Sequence, residues 1–281
     1  MAEIKLQNIS YVYSEGTPFE ISALDDINVT IKDRSVTGII GHTGSGKSSL
    51  VQMLNGLVKP ARGKVILDGK DIWENPKEIG KIRFKVGLVM QYPEYQLFEE
   101  TIRADIAFGP KNMGLDEKEI EERVLEAADF VGLEHDLLEK SPFDLSGGQK
   151  RRAAIAGIIA MRPEVLVLDE PAAGLDPSGR EMIMRSIMNY KSRSGATIVI
   201  VSHSMEDMAK YCDELIVLAD GKLLMTGKKS EVFGRADELT AVGLDVPQIT
   251  KMMSILSGMG IPVDSAVYTI DDALNEIYKL L

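Results

Sequence analysis

A glycine-rich octapeptide at residues 41–48 has the residue types of a phosphate-binding loop. It reads Gly-His-Thr-Gly-Ser-Gly-Lys-Ser, and it lies between the apolar stretch Val36–Ile40 and the helical run Ser49–Leu57. In a strand–loop–helix unit of this kind, glycines let backbone N–H groups converge on phosphate oxygens at the start of the helix. Lys47 would reach the β- and γ-phosphates of a nucleotide, and the Ser48 hydroxyl would bind Mg²⁺. A glycine-rich turn without a ligand is the alternative, but the flanking strand and helix favour the phosphate loop.

Two carboxylates follow a second apolar stretch, Val165–Leu168. A buried strand that ends in Asp169 and Glu170 places both acids at the carboxyl edge of its sheet, where α/β folds bind ligands. On its own this pattern is typical of a strand that ends at solvent. Together with Lys47 and Ser48, it predicts that Asp169 orders the Mg²⁺ shell and that Glu170 polarises an attacking water as a general base.

The pentapeptide of residues 145–149 opens a helical run, and its residues are Leu145, Ser146, Gly147, Gly148 and Gln149. A serine and two glycines at the start of a helix form a second anion-binding N-terminus. At this point the chain resembles the ABC ATPases, whose signature motif is this pentapeptide. The resemblance implies that the motif acts in trans and faces the γ-phosphate held by an opposite subunit, so that each site needs two chains. A serine-capped helix after a glycine turn is the alternative, and it leaves the other motifs unexplained.

Further motif matches extend the resemblance over residues 2–234. It implies that Tyr13 stacks on adenine, although an ordinary tyrosine of an edge strand would also fit this position. Gln91, after the apolar stretch Val86–Met90, corresponds to the glutamine that touches Mg²⁺ and the attacking water and senses the membrane partner. His203, after Thr197–Val201, corresponds to the histidine that contacts the γ-phosphate. The implied catalytic residues are therefore Glu170, His203 and Gln91.

The resemblance also implies a set of nucleotide contacts and an inter-subunit loop. Asp176 ends this loop, in which Ala173 stands where the family commonly has serine, so one hydroxyl contact is in doubt but the dimer is still expected. ATP and Mg²⁺ are the implied ligands. The residues expected to contact the nucleotide are Tyr13, Gly41, His42, Thr43, Gly44, Ser45, Gly46, Lys47, Ser48 and Ser49, and those expected around Mg²⁺ are Ser48, Gln91 and Asp169.

Apolar spacing predicts the elements that position these residues. Alternate apolar residues near the start predict an antiparallel β edge, whereas short apolar stretches after residue 35 predict the buried parallel strands of an α/β core. No such stretch occurs between Pro93 and Ala160, where Glu117–Val131 and Gln149–Ile159 have helical spacing. The predicted fold class is α/β: an ABC-type ATPase cassette at residues 1–234, with a RecA-like parallel core, an antiparallel β edge and a helical subdomain inserted at residues 93–160.

Residues 235–281 form an expected small C-terminal domain. It contains two amphipathic stretches, Gln248–Leu256 and Ile270–Leu281, whose apolar residues recur at helical spacing. Because the motifs are complete by His203, this appendage is not needed for chemistry, and we expect it to serve in dimerisation. A small core of its own is the alternative use of these faces. The apolar residues concerned are Ile249, Met252, Met253, Leu256, Ile270, Leu274, Ile277 and Leu281.

Composition excludes several classes of protein. With 44% hydrophobic residues among 281, the chain can bury a full core and is neither disordered nor fibrous. A net charge of −11 argues against broad binding to nucleic-acid phosphates, and no nucleic-acid partner is expected. No apolar run approaches the ~18 residues that cross a bilayer, and Met1–Gln7 predict a strand rather than a signal peptide. A membrane role would therefore use a partner, with this chain peripheral at the cytoplasmic face.

The segments Gln91–Phe98 and Phe108–Asn112 resemble those of the ATPases of energy-coupling factor transporters. Within this group the chain looks like the second of the two paralogous ATPases, with Glu170-Pro171 after Asp169. The resemblance implies a heterodimer with the paralogous ATPase, bound to a transmembrane coupling protein and a membrane substrate-capture protein, for the import of vitamins or transition-metal ions. A homodimeric cobalt or nickel importer ATPase is one alternative. A soluble ABC ATPase that acts on nucleic acid or a scaffold is another, and the acidic charge and single cassette argue against it.

Overall fold

The computed structural model describes residues 2–280 as two β-sheets and the helices that cover them. The strands are β1 (Ile4–Tyr13), β2 (Ile21–Ile31), β3 (Val36–Gly41), β4 (Arg62–Leu67), β5 (Lys70–Asp71), β6 (Val86–Val89), β7 (Val165–Asp169), β8 (Thr197–Val201), β9 (Glu214–Ala219) and β10 (Lys222–Lys228). The helices are α1 (Lys47–Leu54), α2 (Ile79–Lys85), α3 (Ile102–Asn112), α4 (Glu117–Val131), α5 (Gly147–Ile159), α6 (Pro177–Ser194), α7 (Met205–Tyr211), α8 (Lys229–Phe233), α9 (Ala236–Ala241), α10 (Gln248–Gly258) and α11 (Ile270–Tyr278). None of these helices has the length and apolar composition of a membrane span.

The larger sheet carries the strands that end in the nucleotide motifs. Its strand order is β10-β9-β3-β8-β7-β6, and neighbouring strands are parallel except β10, which pairs antiparallel with β9. Val201 of β8 pairs with Ile39 of β3 on one side and with Asp169 of β7 on the other. The carboxyl ends of three neighbouring strands therefore lie at the same level along one edge.

The smaller sheet is antiparallel and has the order β2-β1-β4-β5. β1 lies between β2 and β4, so it is an inner strand and not an edge strand. The Asp25 N–H donates a hydrogen bond of 2.8 Å to the Gly221 carbonyl oxygen, which joins β2 to the turn between β9 and β10. The predicted antiparallel β edge of the cassette is confirmed.

Alternate side chains of the buried parallel strands enter two different cores, because successive residues of a strand point to opposite faces. Val165 and Val167 of β7 pack in the core shared with the smaller sheet and α1. Leu166 and Leu168 pack in the core formed with α3 to α9. A strand buried on both faces has no polar side, which explains the continuous apolar run in the sequence.

Helices α3, α4 and α5 form an insertion between β6 and β7, and within the described chain no strand interrupts it. Each begins with a side-chain cap, in which Thr101, Asp116 or Ser146 accepts a hydrogen bond from the backbone N–H three residues later. The α/β cassette with an inserted helical subdomain is therefore confirmed.

The C-terminal residues are divided between the main core and a small separate cluster. Leu239, Leu244 and Val246 belong to the core of the cassette, although they lie beyond residue 234. The separate cluster consists of Met253, Val263, Val267 and Ala273, with Ile249, Leu256 and Ile277 packed against it. Met252, Ile270 and Leu274 are exposed, and Leu281 lies outside the described residues. The amphipathic faces thus serve a small core in part and leave other apolar side chains uncovered.

Several elements differ from those expected. The helix after the phosphate loop spans Lys47–Leu54 rather than Ser49–Leu57. It ends early because the Asn55 side chain donates a hydrogen bond to the Val86 carbonyl oxygen and Gly56 takes a φ of +70°. Strand β4 and helices α3 and α6 were not predicted.

Candidate functional site

The phosphate loop joins the end of β3 to the start of α1. A Cβ at Gly46 would lie 2.5 Å from the Ala23 carbonyl oxygen, and this residue has a φ of +98°, so both space and backbone conformation require glycine. A Cβ at Gly41 would lie 2.4 Å from the Leu218 carbonyl oxygen. The two glycines therefore let the loop pack directly against neighbouring backbone, which holds it in one shape. Of the remaining loop residues, Ser45 is fully buried, whereas Thr43, Gly44 and Ser48 are exposed.

Lys47 holds its ammonium group inside this loop. Its Nζ donates hydrogen bonds to the carbonyl oxygens of Gly41 at 2.6 Å and His42 at 2.9 Å. Burial lowers the pKa of Lys47, and the nearby carboxylates of Glu170 and Asp169 offset this effect only in part. A buried cation whose hydrogen-bond acceptors are neutral carbonyls is suited to pair with an anion such as phosphate.

Asp169 and Glu170 lie at the same edge of the sheet. Asp169 is buried, and the Ser48 hydroxyl lies near its carboxylate. Burial raises the pKa of Asp169 although Ser48, Lys47 and His203 act in the opposite direction. Glu170 takes a left-handed backbone conformation with a φ of 51°, and its N–H donates a hydrogen bond of 3.0 Å to the carbonyl oxygen of Val201. Strained backbone at a residue other than glycine is typical of functional sites.

One carboxylate oxygen of Glu170 is buried and receives no hydrogen bond. Oε1 lies 3.3 Å from Nε2 of His203, but these groups are not aligned for a hydrogen bond, and no other group within residues 2–280 donates to Oε1. Burial, followed by the charge of Asp169, raises the pKa of Glu170 to about 7. Burial and the charge of Lys47 lower the pKa of His203. A carboxylate with a pKa near neutrality and an unfilled acceptor position has the properties of a general base.

Tyr13 and His42 attach the phosphate loop and α1 to the strands around them. The hydroxyl groups of Tyr13 and Ser49 are 2.9 Å apart, and part of the Tyr13 side chain stays exposed. Nε2 of His42 accepts a hydrogen bond from the Asp220 N–H at 3.2 Å, which anchors the loop to the turn between β9 and β10. Tyr13 therefore contacts the start of α1, directly after the phosphate loop, and His42 belongs to the loop itself.

The signature residues form the start of α5. Ser146 Oγ accepts a hydrogen bond from the Gln149 N–H at 3.3 Å, and Gln149 Oε1 accepts one from the Ser146 N–H at 2.8 Å. Leu145 is buried. A Cβ at Gly147 or Gly148 would meet no atom of residues 2–280 within 4 Å, so this end of α5 is open.

Gln91 and Asp176 lie on exposed loops that adjoin the site. Gln91 follows β6 at the edge where β7 and β8 also end, and it is exposed. Asp176 is also exposed, and its Oδ1 accepts a hydrogen bond of 2.8 Å from the Gly179 N–H at the start of α6. Asp176 therefore caps α6, while Gln91 extends the line of candidate residues along the strand ends.

Sequence reasoning missed a buried ion pair beside the site. Arg151 of α5 is 3% exposed, and its Nη2 donates a hydrogen bond of 2.6 Å to Glu94 Oε1. The available signal was helical spacing, since Arg151 lies at four-residue intervals with Ile155 and Ile159 on the buried face of α5. An arginine on an apolar face needs a buried partner, but the spacing does not identify that partner.

The oxygen atoms of Ser48 and Asp169 fit a magnesium ion. A hydroxyl and a carboxylate are hard ligands, and the two lie near each other at the carboxyl edge of the sheet. Mg²⁺ at nucleotide sites typically uses one or two protein oxygens, with phosphate oxygens and waters in its other positions. The donor set of this edge is therefore of the right chemistry and size.

Comparison with known proteins identifies the family. The family described as ABC transporter matches residues 24–173. A protein of Caldanaerobacter subterraneus named energy-coupling factor transporter ATP-binding protein EcfA2 is 52% identical over 278 residues, which cover 99% of this chain and 97% of the relative. A protein of the same name from Clostridium acetobutylicum is 52% identical over 279 residues, covering 99% of this chain and 98% of the relative.

Solved structures agree with these relatives. The structure of cbiO1 from Clostridium perfringens, described as part of the ABC transporter complex cbiONQ, has a TM-score of 0.75 and 41% identity, and covers 89% of this chain and 98% of cbiO1. The ATP-binding cassette MJ0796, solved as a dimer bound to ADP and phosphate, has a TM-score of 0.72 and 30% identity, and the match covers 80% of this chain and 98% of MJ0796. The chain belongs to the ATP-hydrolysing subunits of the ABC transporter family and, within that family, to the energy-coupling factor group.

Proposed function

We propose that this chain binds and hydrolyses ATP as the second-type ATPase of an energy-coupling factor importer, peripheral at the cytoplasmic face of the membrane. One observation carries the proposal. Glu170 presents a buried oxygen to which no group of residues 2–280 donates a hydrogen bond, and Lys47 of the phosphate loop and Asp169 contribute to the electrostatic surroundings of its carboxylate. That arrangement matches a site where water is activated against a bound phosphate.

The proposed chemistry assigns one task to each group around the phosphate loop. Lys47 and the loop backbone hold the phosphates of ATP, and Tyr13 stacks on the adenine. Glu170 accepts the proton of the water that attacks the γ-phosphorus. The bond between the γ-phosphorus and the β–γ bridging oxygen breaks, and inorganic phosphate and ADP are the products. His203, whose Nε2 lies 3.3 Å from Glu170 Oε1, contacts the γ-phosphate. Gln91 contacts the attacking water from the neighbouring strand end.

Ser48, Asp169 and Gln91 would hold Mg²⁺ when the nucleotide binds. The ion supplies neutralisation of charge on the β- and γ-phosphate oxygens. Ser48 lies at the start of α1, beside Lys47, and Asp169 lies at the end of β7, so both oxygens come from the ends of regular elements. Ligands on such elements are held in position more firmly than ligands on long loops.

The signature residues would complete the ATP site of a second cassette. The space beside Gly147 and Gly148 is open, and the capped N-terminus of α5 offers backbone N–H groups to an anion. Asp176, at the exposed start of α6, would lie at the same interface. ATP between two cassettes would hold them face to face, and hydrolysis would release them.

The helical subdomain offers a surface for a membrane partner, which we name the aromatic surface. It consists of the exposed rings of Phe98 and Phe108 and of the exposed Tyr95, three residues before Phe98. The rings of Phe98 and Phe108 meet edge-on with their centroids 4.9 Å apart, and Asp105 Oδ1 accepts a hydrogen bond of 3.1 Å from the Phe98 N–H. Exposed aromatic side chains fixed in this way are typical of protein interfaces, and we infer that the coupling protein docks here.

The C-terminal appendage offers a second apolar surface. Its exposed apolar side chains are Met252, Ile255, Met259, Ile270, Leu274 and Tyr278. We infer that they pack against the paralogous ATPase and hold a heterodimer together without nucleotide. The cargo, a vitamin or a transition-metal ion, would bind to a membrane substrate-capture protein. The likeness to cbiO1 of the cbiONQ complex supports a homodimeric cobalt or nickel importer ATPase as a second candidate.

Co-purification tests the proposal. The chain is co-expressed with its paralogue and with the membrane proteins encoded beside it, and the complex is isolated in detergent through a tag on the membrane protein. We expect the ATPase pair to be retained and to be lost when Tyr95 and Phe98 are both changed to glutamate. Phe19→Glu is the matched control, because Phe19 is equally exposed but lies between β1 and β2. Failure of the wild-type chain to bind any membrane protein would contradict the proposed function.

A further inference from the structure

Arg151 is a buried residue that contacts two loops of the site from the signature helix. Its Nε and Nη2 donate hydrogen bonds of 2.9 and 2.6 Å to the two carboxylate oxygens of Glu94. Its Nη1 donates a hydrogen bond of 2.5 Å to the carbonyl oxygen of Ala173. The Arg151 side chain is 3% exposed and that of Glu94 is 14% exposed, so solvent competes little with these contacts.

The first loop contacted by Arg151 begins at the proposed general base. Ala173 donates its N–H to the carbonyl oxygen of Glu170 at 3.1 Å, which closes a turn directly after β7. Nη1 of Arg151 also lies 3.5 Å from the Pro171 carbonyl oxygen within this turn. The guanidinium therefore holds the segment that sets the backbone position of Glu170.

The second loop contains Gln91 and leads to the aromatic surface. Glu94 lies in the short 3₁₀ turn Pro93–Gln96, three residues after Gln91. The Arg151 guanidinium carbon lies 5.9 Å from the centre of the Tyr92 ring, and Tyr92 takes a φ of 56°. Burial acts to raise the pKa of Glu94, but the hydrogen bonds and charge of Arg151 outweigh it and keep the pKa below its ordinary value. The ion pair is therefore maintained at neutral pH.

We propose that Arg151 is a positioning residue through which movement of the loop Gln91–Phe98 reaches Glu170 and the signature helix. This inference rests on the proposed docking of a membrane partner at the aromatic surface. A guanidinium is planar and donates in fixed directions, so a shift of Glu94 must move Arg151 or break the pair. Because Arg151 also bonds the Ala173 carbonyl, the shift is passed to the turn after Glu170. It also reaches Ser146, less than two helical turns earlier on α5.

Loss of the Glu94 contact and loss of the Ala173 contact of Arg151 should change different kinetic quantities. Glu94→Gln weakens the contact between Arg151 and the loop Gln91–Phe98, and it leaves Arg151 bonded to the Ala173 carbonyl oxygen. We expect the isolated ATPase pair to keep its turnover, while the stimulation of turnover by the assembled membrane partner falls by about tenfold, since small displacements at a site cost up to about a hundredfold. Arg151→Lys removes the guanidinium and so weakens the contacts with both Glu94 and the Ala173 carbonyl oxygen. It should lower kcat of the isolated pair and of the complex, with KM for ATP unchanged because the phosphate loop is intact.

Controls separate positioning from folding. Arg103→Lys is the control, because the Arg103 guanidinium also bonds carboxylates on the same subdomain but outside these loops. Its Nη1 donates to both oxygens of Glu121 at 2.5 and 2.6 Å, and its Nε donates to Glu139. The double variant Glu94→Gln with Arg151→Met leaves no unpaired buried charge, and it should reproduce the loss of stimulation if Arg151→Lys unfolds. Thermal unfolding and co-purification with the membrane protein are measured for every variant.

The outcomes separate this inference from the proposed function. If the wild-type chain binds no membrane protein, the proposed function fails. If Glu94→Gln binds the membrane protein and is stimulated as fully as Arg103→Lys, the positioning role of Arg151 is refuted while the function stands. An increase in KM for ATP at unchanged kcat in Arg151→Lys, or full stimulation in the double variant, would also refute it.

Discussion

Replacing Glu170 with glutamine should stabilise the empty cassette at alkaline pH. The buried carboxylate has its pKa raised from 4.5 to about 7, mainly by burial and then by the charge of Asp169. The folded state therefore binds the proton more tightly than the unfolded state. Below pH 4.5 both states are protonated and the carboxylate carries no penalty. As pH rises through 7, the carboxylate ionises in the folded state as well. At about 1.4 kcal/mol per pKa unit, the ionised carboxylate then lowers the free energy of unfolding by about 3 kcal/mol.

Glutamine stays neutral, so the difference in free energy of unfolding between variant and wild type should grow from near zero at pH 4.5 to about 3 kcal/mol at pH 8. Urea unfolding in EDTA without nucleotide, repeated across this pH range, measures the difference. Glu15→Gln is the control, because Glu15 is an exposed carboxylate between β1 and β2. If the free energy of unfolding of Glu170→Gln differs from that of wild type by the same amount at all pH values, burial does not raise the pKa of Glu170.

Three further predictions concern the other parts of the site. Lys47→Ala should weaken ATP binding itself, because it removes the cation held within the loop, and unchanged affinity in a direct titration would contradict this role. Ser146→Arg should disable the site whose ATP is held by the partner chain, while this chain still binds ATP. Mixtures of mutant and wild-type subunits test this prediction. Loss of ATP binding by the isolated variant would count against action in trans. Truncation after Pro247 spares Leu244 and Val246 of the main core. The truncated chain should fold and, by light scattering, stay monomeric without nucleotide. A truncated pair that remains dimeric would show that the interface lies within the cassette.

The motifs could be predicted from sequence because each is a continuous segment with local chemistry. The phosphate loop, the strand ending in Asp169 and Glu170, and the cap of α5 at Ser146 all lie where adjacent residues predicted them. Their common edge followed from the parallel order of buried strands. Helix α6 had a readable start, since Asp176 is followed by Pro177 at the first helical position, but Asp176 was interpreted only as a loop residue.

Contacts between distant segments could not be predicted in the same way. Arg151 and Glu94 are 57 residues apart, and His42 reaches Asp220 across 178 residues. Charged residues are mostly exposed, so composition gives little reason to bury either member of the Arg151 pair. The burial of individual C-terminal residues could not be predicted either. Apolar periodicity predicts that Met252 and Met253 both need burial, but it does not say which surface covers each of them.

The most direct test of the account is the turnover of Glu170→Gln in the complete transporter complex. ATP binding and hydrolysis are measured on the same preparation with Mg²⁺ present, beside wild type. Because the phosphate loop is untouched and only the proton acceptor is lost, ATP affinity should be retained while turnover falls by about 10² to 10⁴-fold. Near-normal turnover would contradict Glu170 as the general base, and with it the reading of its buried, unpaired oxygen.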